Sequence, residues 1–75
     1  MDYTDECRFG ISKYLNSVAM SMENLPEELI DPILHRFYKN YYSYDMDEDL
    51  AAQAAISEAL VANNMTLDGF EIWVP

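Results

Sequence analysis

Asp47-Glu48-Asp49-Leu50-Ala51-Ala52-Gln53-Ala54-Ala55-Ile56-Ser57-Glu58-Ala59-Leu60-Val61-Ala62 is the stretch that sets the fold class. Six alanines between Ala51 and Ala62 favour helix intrinsically and let a neighbouring helix approach closely. Asp45, followed three residues later by Glu48, resembles a capping box in front of this helix. Helical spacing marks Leu50, Ala54, Ser57, Leu60 and Val61 as its buried side. Asn63 and Asn64 are suited to cap its C-terminal end.

On the N-terminal side, two further helices are expected. Over about Asp2 to Met22, the residues Cys7, Ile11, Tyr14, Leu15, Val18 and Met22 recur every three or four positions, one stripe of an amphipathic helix. Gly10 weakens that helix by about 1 kcal/mol relative to alanine. Asn24-Leu25-Pro26-Glu27-Glu28 reads as a helix start, with proline where its missing N–H costs nothing and carboxylates at the positive dipole end. Asp31-Pro32 repeats the signal, so a short helical turn near Pro26 precedes a break or kink at Pro32. Ile33, Leu34, Phe37, Tyr38 and Tyr41 then form a second stripe running to about Tyr42.

On the C-terminal side the period changes. Phe70, Ile72 and Val74 alternate with Glu71 and Trp73, and Asp68-Gly69 is a dipeptide favoured in two-residue hairpin turns. A short strand is expected, paired as a hairpin with Met65 to Leu67; a lone hairpin is marginal in water, so this one should pack on the helices or pair with another chain. The fold class is therefore mainly α: a single domain of three helices and a short helical turn, ending in a short β-strand or hairpin.

Composition narrows the function classes. Seventy-five residues of 8.7 kDa leave room for one small domain. A 51% hydrophobic content predicts that the chain folds in spite of its net charge of -10. That charge opposes direct binding to nucleic acid or to an anionic membrane, since both need Lys and Arg. No apolar run approaches the roughly 20 residues of a membrane span. The opening Met1-Asp2-Tyr3-Thr4-Asp5-Glu6 lacks the features of a secretory signal, so a cytoplasmic location is expected.

Candidate chemistry is sparse. Cys7 is the only cysteine, beside Asp5 and Glu6, which disfavour a thiolate; it reads as a core residue and not a nucleophile. His35 is the only histidine and has no companion ligand nearby in the sequence, so it reads as structural. Asp45-Met46-Asp47-Glu48-Asp49 imitates the first ligands of a calcium loop, but Leu50 and Ile56 stand where glycine and glutamate are required. No metal, no cofactor and no enzymatic activity are expected.

Charge placement is more informative. Acidic residues near predicted helix starts are what capping and the macrodipole select. Residues 40 to 75, however, hold seven acids and no base, whereas residues 1 to 39 hold seven acids against four bases. An excess of this size attracts cationic surfaces and raises on-rates toward them. Beside the acidic block lie four tyrosines between Tyr38 and Tyr44. Tyr38 and Tyr41 fall on the apolar stripe; Tyr42 and Tyr44 fall outside it, where tyrosine supplies contact area with a polar tip. Trp73 reads as core on its size, but alternation opposes it to Phe70, Ile72 and Val74 and turns it toward a partner. The candidate partner-binding residues are accordingly Tyr42, Tyr44, Asp45, Asp47, Glu48, Asp49 and Trp73.

In size and charge the chain resembles the small acidic inhibitors that bacteriophages direct against host enzymes, including some anti-CRISPR proteins and DNA mimics. The resemblance is one of composition, and no residue role follows from it. Two functions are expected in consequence. One is a binding module that occupies the basic, nucleic-acid-handling surface of a larger protein and blocks it, because arginine forks carboxylate and phosphate alike. The other is a structural or adaptor subunit that forms a homodimer through its helix faces or adds its C-terminal strand to a partner's sheet.

Overall fold

The alanine-rich stretch is a helix that is apolar almost all round, and the rest of the chain is arranged to cover it. In the computed structural model, which describes residues 3–73, α1 spans Tyr3–Ser17, α2 spans Glu27–Tyr38 and α3 spans Glu48–Ala62. A short 3-10 turn at Met22–Asn24 leads into α2, and a π-helical turn at Lys39–Ser43 extends it. Helix α3 packs against both other helices. Ala51, Ala52, Ala55, Ile56 and Leu60 are buried among Ile11 and Leu15 of α1 and Leu29, Ile33 and Phe37 of α2. A helix buried on most of its circumference loses its amphipathic stripe.

That burial corrects the expected inner face. Ala54, Ser57 and Leu60 are buried as anticipated, but Leu50 and Val61 are 41% and 51% exposed. Alanines take the inward positions alongside Ile56 and Leu60, where their small side chains permit close approach, and Leu50 and Val61 fall on the outer side. α1 is also shorter than its stripe suggests: it stops at Ser17, leaving Val18 exposed. Ala19 turns the chain with φ 61°, while the N–H groups of Ala19 and Met20 donate to the carbonyls of Asn16 and Leu15. This is a Schellman closure. α3 ends the same way: Asn64 has φ 54°, and Asn64 and Met65 donate to Val61 and Leu60.

Pro32 neither breaks α2 nor starts it. Glu27–Tyr38 is one helix with Pro26 as its N-cap, and Pro32 lies inside it on the exposed side. Its missing N–H forfeits one ladder hydrogen bond and its ring crowds the carbonyl one turn back, while Leu29 and Ile33 anchor the helix on the core. The start of α3 differs as well. Asp47 is the N-cap, without a side-chain capping bond, and Asp45 sits in the left-handed region at φ 53°. No Asp45–Glu48 capping box forms. Instead, buried Asn40 in the π-turn fixes the entry: its Nδ2 donates to the Ala51 carbonyl at 3.3 Å, and its own carbonyl accepts from Met46 N–H at 3.0 Å.

The expected C-terminal strand is absent among the described residues; Val74 lies outside them. Asp68-Gly69 does form a turn, closed by Phe70 N–H donating to the Leu67 carbonyl, with Gly69 at φ 81°. A single positive φ at the third turn position is the type II signature, whose twist does not carry two strands back together. The chain beyond it crosses α3. Gln53 Nε2 donates to the Glu71 carbonyl at 3.4 Å, and Ser57 Oγ accepts from Trp73 N–H at 2.9 Å. Helix side chains one turn apart therefore meet backbone groups that a strand partner would otherwise have taken. Tyr14 holds the start of this segment through an edge contact with Phe70, centroids 6.3 Å apart.

A candidate partner-binding groove

The π-turn is the element that shapes the most distinctive surface of the protein. Tyr44 N–H donates to the Lys39 carbonyl, five residues back, so the turn is wider than an α-helical one. Phe37 and Tyr41 stack with centroids 5.6 Å apart, Tyr41 and Tyr42 meet edge to face at 4.9 Å, and Tyr38 and Tyr42 lie at 5.0 Å. The result is a continuous aromatic wall.

Opposite this wall stands α1. Phe9 projects from it and is 68% exposed, the most exposed large hydrophobic side chain among the described residues. Between Phe9 and the wall of Phe37, Tyr41 and Tyr42 lies an open groove of about 450 Å³, rimmed by Asp5, Glu6 and Glu48. Gly10 allows the two sides to meet at its base. A Cβ there would stand 2.6 Å from Phe37 Cζ, so the bare backbone of α1 is what lets the buried Phe37 ring lie against it.

Internal bonds position the rim. Tyr42 Oη donates to Glu6 Oε2 at 2.7 Å, tying the π-turn to α1. The Glu6 carboxylate holds the phenol proton, and Tyr42 is pushed up to about 12. Lys13 Nζ donates to Glu48 Oε1 at 3.1 Å, which raises the Lys13 ammonium above its ordinary value. Burial, with Asp49 and Glu71 adding to it, raises Tyr14. On another face, Arg36 forks Glu58 through Nε and a second bond of 3.0 Å from its terminal nitrogen. Two of the four bases thus neutralise acids of the distal half, so the charge asymmetry of the sequence is smaller in the folded molecule.

The structure brings only part of the expected set together. Tyr42 and Glu48 share the groove with Asp5, Glu6 and Phe9. Asp45 and Asp47 are exposed on the connection into α3, and Asp49 is exposed beside Lys13 and Tyr14. Tyr44, 61% exposed, stands near Arg36. Trp73 is 39% exposed and docked at Ser57, nine positions along α3 from Glu48 and so roughly 13 Å further down the helix axis. It belongs to a different surface. Phe9, Asp5 and Glu6 were the residues missed by sequence reading; the signal for Phe9 was a large aromatic off the Cys7–Ile11 stripe.

Cys7 is buried in the core, and His35 is exposed on α2. Among the described residues no group of three or more His, Cys, Asp or Glu could hold a metal ion, and no helix is long and apolar enough to cross a membrane. No protein-family model, curated protein or solved structure matches the chain significantly.

Proposed function

We propose that this protein is an acidic binding module that occupies the basic, nucleic-acid-handling surface of a larger protein and blocks it. The observation that supports this reading is the groove. Its exposed carboxylates and aromatic rings are presented together on a helical scaffold, a combination suited to arginine-rich surfaces. Asp45, Asp47 and Asp49 extend the negative surface beyond the groove along the entry to α3. The adaptor reading through strand addition has less support, because no strand is found among the described residues and two backbone groups of the tail, the Glu71 carbonyl and the Trp73 N–H, are taken by Gln53 and Ser57.

The test is affinity capture at graded salt, comparing the protein with the variant Asp45→Asn, Asp47→Asn, Glu48→Gln, Asp49→Asn. Asp47 makes no side-chain capping bond and the entry to α3 is held by Asn40, so Asp47→Asn keeps the α3 start intact. The reading requires a basic partner whose retention falls steeply with salt, is displaced by duplex DNA or RNA, and is lost with the variant. Retention indifferent to salt and to the four substitutions contradicts it.

A further inference from the structure

We infer that the groove between Phe9 and the π-turn is an anchor pocket for a single arginine side chain presented by the protein partner. The inference rests on the function proposed above and specifies where on the acidic surface recognition is concentrated.

Three features select this occupant. First, shape: a groove of about 450 Å³ is large enough for one long side chain, and it is open to one side. Second, its walls are ring faces and edges, namely Phe9, Tyr41 and Tyr42, and a planar guanidinium stacks on such surfaces where a hydrated ammonium does so less readily. Third, the rim carries three carboxylates, Asp5, Glu6 and Glu48. Among the described residues, Tyr42 donates to one oxygen of Glu6 and Lys13 to one oxygen of Glu48. The second oxygen of each carboxylate remains an acceptor, so the rim is pre-oriented and still able to accept the N–H groups of an incoming fork.

Phe9 is the residue that folding leaves unexplained. A phenylalanine 68% exposed contributes little to the core, and Cys7 and Ile11 on either side of it supply the buried stripe of α1. Covering it with the aliphatic stem of an arginine removes apolar surface from water while the head meets the rim. The same cation would be repelled by a basic rim; among the described residues that line the groove none is basic, and Lys13 beside it is paired to Glu48.

The probe is the capped tripeptide acetyl-Gly-Arg-Gly-amide, titrated into the isotope-labelled protein at low salt, with its citrulline and lysine counterparts in parallel. Citrulline keeps the shape and removes the charge. The expected result is saturable shifts of the Phe9 and Tyr42 ring resonances with the arginine peptide. Binding should weaken at least fivefold with citrulline, at least twofold with lysine, and at least threefold in Phe9→Ala. Phe9 is exposed, so that variant keeps its fold, which circular dichroism checks. Equal binding of citrulline, equal binding of lysine, or absence of saturation each overturns the inference. Shifts spread over Asp45 to Asp49 and unchanged in Phe9→Ala do so as well, but they leave the acidic-module reading standing. That reading fails separately, on salt-indifferent capture of the partner.

Discussion

Ala19 carries the clearest local strain in the chain. Its φ of 61° closes the Schellman motif after α1, a position that glycine fills without penalty and that costs an L-residue with a Cβ roughly 1–2 kcal/mol. Part of that is returned as chain entropy when glycine is unfolded. Ala19→Gly is therefore expected to stabilise the protein by about 0.5–1 kcal/mol, seen as a higher urea midpoint at unchanged slope. Tyr42 supplies a second residue-scale prediction. Its proton is retained by Glu6 up to about 12, above the ordinary tyrosine value of about 10. Because the folded-state value is the raised one, the Tyr42–Glu6 contact contributes fully below pH 10 and is lost as pH climbs from 10 toward 12. Absorbance titration of the phenols should show one tyrosine ionising near 12, abolished in Tyr42→Phe and moved back toward 10 in Glu6→Gln.

At the scale of elements, α1 and α2 meet through Gly10 and Phe37. Gly10→Ala gains about 1 kcal/mol of helix propensity but drives a methyl into a ring that is 2% exposed and has little room to move. Overpacking of this kind costs about 1–3 kcal/mol, so net destabilisation of about 1 kcal/mol is expected on chemical denaturation. The tail offers a contrasting case. Ser57→Ala removes the acceptor of Trp73 N–H and should release the last described residues from α3. The expected signs are faster amide exchange at Trp73 and a red shift of the single tryptophan's emission, with the global urea midpoint little changed.

These two elements also show what was legible in the sequence. Three helices, the helix start at Pro26, the cap at Asn64 and the exposure of Tyr42 and Tyr44 follow from local spacing and end signals, whereas the 3-10 turn falls at Met22–Asn24, ahead of Pro26, and not between Pro26 and Pro32. The inner face of α3 does not follow from them, because a helix enclosed by two others is selected for small residues and its stripe disappears. Nor does the tail: alternation of Phe70, Ile72 and Val74 fits a strand, but a strand needs a partner, and Gln53 and Ser57 satisfy the backbone instead. Phe9 and Glu6 join the site only when the π-turn brings Tyr42 to α1, a contact across 36 residues that no local pattern records.

Over the whole molecule, charge governs behaviour. A net charge of -10 on 75 residues sets up self-repulsion that added salt screens, so the urea midpoint should rise between low and moderate salt. A falling midpoint would mean that the Lys13–Glu48 and Arg36–Glu58 pairs outweigh repulsion, which their partial exposure argues against. The same excess is what a basic partner would meet. Competition between this protein and a nucleic-acid duplex for the captured partner measures that most directly. The account predicts that the duplex's apparent Kd rises in proportion to added protein, and that the Asp45→Asn, Asp47→Asn, Glu48→Gln, Asp49→Asn variant has no such effect. A ternary complex in which the duplex binds with undiminished affinity would contradict it.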